Sequence, residues 1–324
     1  MKHRQRSHMI LVSLSVFIFM TLICSYIEND SVFHVTVGEK NADPKIETVV
    51  NAVATASTET SSDAISSNAS KTKKKNEIKE VYGLNKTANG RLYFLKKNGK
   101  RYQGYKKIDG AEYYFAGKNS YAVVNKWKYV KLNGTSYKLY FGKNGKRKKD
   151  VTNILPSNTR YYLDVLLAKN MVMVYAKDGN KGYTIPAKAM ICSTGMPGHG
   201  TIIGTYSLYK IAPWRSLFYN SVGQYATNIH GNILFHSVVY KRYGDHYSLD
   251  KTEYNKLGKS ASHGCVRLPV KDAKWIYDHT GNIDKAVLRT ATVSEKTPLD
   301  KPKKKKIGKT KDGRYYDPTD PKCK

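Results

Sequence analysis

An uncharged, mostly apolar run near the N-terminus restricts this chain more than any other feature. Residues 9–27 contain nineteen positions without a charged side chain. Nineteen helical residues rise about 28 Å, close to the thickness of the hydrocarbon layer of a bilayer. The charges before the run are all basic, whereas Glu28 and Asp30 follow it. By the positive-inside rule, this asymmetry predicts a cytoplasmic tail at 1–8 and a transmembrane signal anchor at 9–27.

Everything after the anchor is therefore expected outside the cytoplasm, on a single-pass protein of the cell membrane. The run is long for a signal peptide and no clear cleavage motif follows it, so an uncleaved anchor is favoured; cleavage would give a secreted protein. The chain carries 56 Lys+Arg against 25 Asp+Glu, which favours an anionic partner. Because the chain is expected to be exported, nucleic acid is disfavoured as this partner, and anionic lipid or an acidic wall polymer remains.

The next two segments differ sharply in composition. Residues 28–80 are polar and rich in Ala, Ser and Thr, which is typical of a flexible linker. Residues 81–152 repeat a unit in which an Asn-Gly or Asp-Gly turn precedes a short aromatic stretch, such as Leu92-Tyr93-Phe94. This pattern predicts successive β-hairpins and resembles the cell-wall-binding (choline-binding-like) repeat family. The aromatics of these repeats either contact a wall polymer or form only the core of a small module.

Residues 158–292 are predicted to form the main domain, with a mainly β fold. Short apolar segments such as Met171 to Tyr175 alternate with Gly, Asn and Asp turns, and helical periodicity is confined to Val270 to His279. Residues 293–324 are rich in Lys and Pro, which predicts a basic disordered tail.

The residues suited to chemistry surround Cys265. The chain has four cysteines, and outside the cell such sparse use suggests a thiol kept for chemistry rather than for disulfides. Cys265 follows Gly264, which allows a tight turn, and His263 and Arg267 supply nitrogen donors that would favour the thiolate. His236 ends an apolar strand and is the candidate general base.

The segment Ser262-His263-Gly264-Cys265-Val266-Arg267-Leu268 resembles the signature of the L,D-transpeptidase (YkuD-type) catalytic domain, and Ile191 to Gly195 and Phe235 to Ser237 resemble two further segments of it. The resemblance implies that Cys265 is the nucleophile and His236 its base, with the Ser237 carbonyl orienting His236. His263 would line the catalytic site, and the N–H groups of Gly264 and Cys265 would form the oxyanion hole. Substrate would contact Arg267, Ser262 and Tyr240, the last in a lid-like insertion over residues 237–261.

The resemblance further implies transfer of an acyl group between peptidoglycan stem peptides, through a thioester, without a cofactor or metal. Several alternatives remain open. The chain could hydrolyse the thioester as an L,D-carboxypeptidase, act as a sortase-like transpeptidase, or bind the wall without catalysis. His230 or His246 could replace His236 as base. A zinc site of His236, His263 and Cys265 lacks a fourth ligand at suitable spacing.

Overall fold

Short strands joined by turns make up most of the structure, a computed structural model that describes residues 81–323. The predicted tail, anchor and linker in residues 1–80 lie outside this described part. Within residues 81–323, every helix is too short or too polar to cross a bilayer. The described residues belong to one compact unit, and the mainly β fold expected from the sequence is confirmed.

Seven strands form hairpins at the start of the described chain. Their bounds are β1 Gly83–Lys86, β2 Leu92–Leu95, β3 Gly104–Ile108, β4 Ala111–Ala116, β5 Tyr121–Ala122, β6 Lys126–Leu132 and β7 Thr135–Phe141. The first five form an antiparallel sheet in the order β1-β2-β5-β4-β3, and β6 and β7 pair only with each other. Both residues of Asp109-Gly110 and of Asn133-Gly134 have positive φ, which is the geometry that two-residue hairpin turns require.

The β6–β7 hairpin packs against the domain that follows it. The Lys138 N–H donates to the Thr184 carbonyl at 3.0 Å, and the Tyr137 ring stacks on Tyr175 with centroids 6.3 Å apart. Trp127 and Tyr140 also lie against the main core. The aromatic side chains of this hairpin therefore hold it to the larger domain.

The larger domain contains two sheets and two helices. Its elements are β8 Tyr161–Leu166, β9 Met171–Ala176, β10 Ile185–Ile191, β11 Gly204–Tyr206, β12 Tyr209–Ser216, β13 Val222–His230, β14 Ile233–Ser237, α1 Lys251–Asn255, β15 Val266–Leu268, α2 Val270–His279, β16 Ile283–Arg289, β17 Gly308–Lys309 and β18 Tyr315–Tyr316. One sheet has the order β10-β9-β8-β16-β11 and the other β12-β13-β14-β15; β17 and β18 form a separate pair.

Apolar side chains from both sheets and from α2 meet in one core. Leu163 and Val174 come from the first sheet, Phe235 and Leu268 from the second, and Ile276 from α2; all five are fully buried. Each such side chain contributes about 1.5–3 kcal/mol relative to an exposed position. The core thus fixes β14 and β15, the strands beside the candidate catalytic residues.

Strands β14 and β15 run parallel, so the chain between them must cross over rather than turn back. The predicted lid-like insertion is part of this crossover. It is packed rather than open: Tyr240, Leu249, Tyr254 and Leu257 are buried in a second apolar cluster. Among the tyrosines of this insertion, only Tyr243 is exposed, at 65%.

Residues 293–323 differ from the disordered tail that the sequence predicted. Asp317 is fully buried and accepts a hydrogen bond from the Val270 N–H at 2.9 Å. It therefore caps α2, whose own N-cap residue, Pro269, offers no side-chain acceptor. Lys301 and Lys304 donate to backbone carbonyls of the crossover at 2.8 and 2.7 Å. Composition missed this order because these lysines pair with carbonyl groups that only the folded chain presents.

Replacing Asp317 with Ala should destabilise the protein, because α2 loses its buried acceptor. We expect the free energy of unfolding to fall by about 1–2 kcal/mol, measured by urea denaturation. Asp312→Ala, which removes an exposed ion pair of the same segment, is the matched control and should change it by less than about 0.5 kcal/mol. Equal losses in the two variants would contradict the capping role.

Candidate active site

Cys265 lies at the end of a tight loop that leads into β15. Gly264 has φ +113°, a backbone conformation that favours glycine, and a Cβ there would lie 2.6 Å from Ile233 Cδ1 and would have to displace it. The buried Ser262 hydroxyl donates to the Cys265 carbonyl at 2.6 Å and accepts from the Gly264 N–H at 3.1 Å. Ser262, predicted to bind substrate, is thus buried and shapes the nucleophile loop from within.

The same contacts correct the predicted oxyanion hole. The Gly264 N–H points to the Ser262 hydroxyl, so it is already used within the loop. The N–H of Cys265 is the remaining candidate of the two.

Thr201 is a supporting residue that the sequence did not reveal. Its hydroxyl donates to the Gly264 carbonyl and accepts from the Gly195 N–H, both at 2.8 Å. It therefore ties the turn after β10 to the nucleophile loop. No local pattern marks Thr201, because its two partners are brought together only by the fold.

His236 is buried at the end of β14, opposite Arg267 of β15 in the strand register. Its Nδ1 lies 2.6 Å from the Ser237 carbonyl oxygen, which is the contact expected from the sequence. A carbonyl can only accept, so Nδ1 carries the proton and Nε2 is left as the acceptor. Gly223 packs against the ring, since a Cβ at that position would lie 2.8 Å from Nδ1.

Burial keeps both candidate catalytic groups neutral. It lowers the pKa of His236 to about 3, helped by the charge of Arg267 and opposed by the Ser237 contact. Burial also raises the pKa of the Cys265 thiol, although a backbone hydrogen bond from Leu234 and the charge of Arg267 act against it. The thiol donates to the Asn232 carbonyl at 3.6 Å. The resting pair is therefore thiol and neutral imidazole, in contrast to the thiolate favoured by the sequence.

Arg267 is held by a residue of the crossover. Its Nη1 donates to the Glu253 carboxylate and, at 3.4 Å, to the Ala261 carbonyl. Glu253 lies on α1 and also accepts from Lys256 Nζ at 2.6 Å. The Arg267 side chain is only 12% exposed, so Glu253 is the counter-ion of a largely buried charge next to both Cys265 and His236.

A cavity of about 1030 Å³ opens over these groups. Cys265, His236, His263 and Arg267 all line it. The exposed His263 ring lies 5.0 Å from the Tyr219 ring, measured between centroids. Other lining residues include Tyr209, Arg215, Phe218, Glu253, Lys256 and Lys259.

Four of the predicted site residues, Ser237, Tyr240, Ser262 and Gly264, do not line this cavity. Tyr240, predicted to bind substrate, is 1% exposed and packs edge-on against Trp214, because the crossover that carries it is part of the core. Ser237 contributes its carbonyl only; its hydroxyl accepts from the Gln224 N–H at 2.9 Å and donates to the Val238 carbonyl. Neither alternative base competes at this position: His246 lies against Asp320, and His230 packs on Tyr206.

Part of the chain is similar to known proteins. Residues 160–299 match the YkuD family, the L,D-transpeptidase catalytic domain. YciB of Bacillus subtilis (strain 168), named as a candidate L,D-transpeptidase, is 46% identical over 59 residues, which are 18% of this chain and 29% of that protein. The chain thus spans less than a third of this curated relative.

Two solved structures are also similar. An L,D-transpeptidase from Mycobacterium smegmatis aligns with a TM-score of 0.32 and 14% identity, over 57% of this chain and 80% of that one. A choline binding domain from Streptococcus pneumoniae aligns with a TM-score of 0.17 and 25% identity, over 21% of this chain and 96% of that one.

The neutral pair predicts how Cys265 reacts with iodoacetamide in the absence of substrate. Because burial raises its pKa, the alkylation rate should be low at pH 7 and keep rising above pH ~8.5, the usual thiol pKa. Mass spectrometry of the peptide that contains Cys265 gives the rate. A plateau below pH 7 would indicate a preformed thiolate–imidazolium pair and contradict this assignment.

Glu253→Gln should shift that pH profile. With its counter-ion gone, Arg267 acts more strongly on Cys265 and should lower the alkylation midpoint by about one pH unit. Lys256→Gln is the matched control, because it removes the other partner of Glu253 and leaves the Arg267 pair intact. An unchanged midpoint in Glu253→Gln, or an equal shift in the control, would show that Glu253 does not act through Arg267.

Proposed function

We propose that this chain is a peptidoglycan L,D-transpeptidase that makes 3→3 cross-links through a thioester on Cys265, because residues 160–299 match the model of the YkuD L,D-transpeptidase catalytic domain. The observation that carries the proposal is the pairing of Cys265 with His236 in one cavity. His236 is neutral, and the Ser237 carbonyl leaves its Nε2 as the acceptor.

The first half-reaction acylates the enzyme. The thiol leaves the Asn232 carbonyl, His236 Nε2 takes its proton, and Sγ attacks the carbonyl of the third residue of a tetrapeptide stem. The Cys265 N–H stabilises the oxyanion. When the intermediate collapses, His236 returns the proton to the departing amine, so D-alanine leaves and the acyl group remains on Cys265.

The second half-reaction reverses these roles with a new amine. The side-chain amine of a neighbouring stem attacks the thioester and gives its proton to His236. Cys265 leaves as the sulfur of the thioester and recovers that proton. One cross-link forms for each D-alanine released, and the neutral pair is restored.

Starting from a neutral pair has a chemical consequence. A thiol is a weaker nucleophile than a thiolate, so proton transfer to His236 must accompany attack on the substrate. Arg267 lowers the pKa of both groups. It therefore favours the thiolate while making the imidazolium less stable, which speeds return of the proton to the leaving amine.

We further propose that this reaction takes place outside the cell membrane. The apolar run at 9–27 would anchor the chain and residues 28–80 would span the distance to the wall. The net charge of +31 would hold the enzyme on an anionic wall polymer.

Cys265→Ala should abolish cross-linking, because no other group in the cavity can form the thioester. The full chain is incubated with purified tetrapeptide stems, and dimers are measured by mass spectrometry. Cys323→Ala, a cysteine of the C-terminal segment outside this cavity, should retain activity. Undiminished dimer formation by Cys265→Ala would overturn the proposal.

The same assay separates the alternatives. An L,D-carboxypeptidase would release D-alanine at the same rate whether or not an acceptor stem is present, and would form no dimers. A wall-binding protein without catalytic activity would release none. Intact variants are needed rather than an isolated catalytic fragment, because the β6–β7 hairpin packs against the core of the domain.

A further inference from the structure

The five-stranded sheet of residues 83–122 carries an unusual excess of positive charge. It contains nine basic residues: Lys86, Arg91, Lys96, Lys97, Lys100, Arg101, Lys106, Lys107 and Lys118. Its acids are Asp109 and Glu112, and Glu112 is buried in an ion pair with Arg147 at 2.6 Å. The charge presented by this sheet is therefore almost entirely positive.

Several of these cations lie on aromatic rings of the same sheet. The Arg91 guanidinium lies 4.1 Å from the centre of the Tyr121 ring. The Lys106 ammonium lies 4.5 Å from the centre of Phe94 and 4.8 Å from that of Tyr102. These distances are within the range of cation–π attraction.

The stacking decides which ligand charge the sheet can accept. A quaternary ammonium ligand such as choline binds by contacting the faces of aromatic rings. Here the chain's own cations lie over the rings of Tyr121, Phe94 and Tyr102, and their charge would repel a cationic ligand. An anionic ligand would be attracted instead, because a guanidinium that stacks through its face can still donate from its N–H edge to a phosphate.

We propose that the sheet of residues 83–122 binds a phosphodiester polymer through cations stacked on its aromatic rings, and that it does not bind choline. The stacked cations recur from one hairpin to the next, Arg91 between β1 and β2 and Lys106 on β3, which suits a ligand whose charge also repeats. Stacking restricts these long side chains before binding, so less conformational entropy is lost on contact. This proposal rests on the proposed function and specifies the chemistry of its anionic wall polymer.

The test compares two variants of the full chain with equal loss of charge. Two of the stacked cations are removed in Arg91→Gln/Lys106→Gln, whereas Arg101 stays over the Tyr93 ring. Two basic residues without a ring contact are removed in Lys86→Gln/Lys118→Gln. Binding of fluorescent poly(glycerol phosphate) is measured by anisotropy in neutral detergent. We expect the first variant to bind roughly ten-fold more weakly and the second no more than about three-fold more weakly.

Further measurements distinguish a specific binding site from nonspecific electrostatic attraction between the basic sheet and the polymer. Arg91→Lys keeps the charge but loses the planar donor edge, so it should weaken binding measurably. Equal affinity in the two double variants would overturn the proposal, as would displacement of the polymer by choline. Preferential binding to phosphatidylglycerol mixed into the micelles, at equal phosphate concentration, would assign the surface to lipid and also overturn it.

Polymer binding and cross-linking can be measured separately in the same variant. The stacked cations lie outside the cavity that contains Cys265, so Arg91→Gln/Lys106→Gln should still cross-link soluble stem peptides at the wild-type rate. Lost polymer binding with full cross-linking supports the inference. A loss of cross-linking in this variant would contradict the separation of binding from catalysis.

Discussion

The parallel pairing of β14 with β15 is the constraint on which the site depends. It sets His236 opposite Arg267 and brings Cys265 to the same cavity from a position 29 residues later in the chain. Antiparallel neighbours could be joined by a short turn, but parallel neighbours need a long crossover. That crossover supplies Glu253, the counter-ion of Arg267, and the buried Tyr240 and Tyr254 that fix it in place. One strand pairing thus determines both the catalytic contacts and their electrostatic surroundings.

Burial keeps both candidate catalytic groups neutral. It disfavours the thiolate and the imidazolium alike, whereas the charge of Arg267 favours the thiolate and further disfavours the imidazolium. Glu253 moderates that charge from the crossover. This neutral pair suits the proposed reaction, in which a proton moves to His236 and back twice, because neither charged form is strongly stabilised.

Two peripheral segments have structural roles that their composition conceals. The β6–β7 hairpin uses Trp127, Tyr137 and Tyr140 to pack against the larger domain. The C-terminal segment caps α2 with Asp317 and contacts the crossover through its lysines. Both segments therefore support the elements around the candidate active site. The sheet formed by β1 to β5 carries the basic surface.

The sequence by itself predicted the mainly β fold, the turn dipeptides of the hairpins, and Cys265 and His236 as the candidate nucleophile and base. These depend on local pattern and residue chemistry: Asn-Gly and Asp-Gly specify tight turns, and few residue types serve as nucleophile or base. Tertiary structure decided the rest. It buried Ser262 and Tyr240 and directed the Gly264 N–H to the Ser262 hydroxyl. It brought Thr201, Glu253 and Asp317 into contact with the nucleophile loop, Arg267 and α2, respectively. Burial also made the thiol and the imidazole neutral at rest. Burial and hydrogen-bond partners arise from segments far apart in the chain, so no local pattern could reveal them.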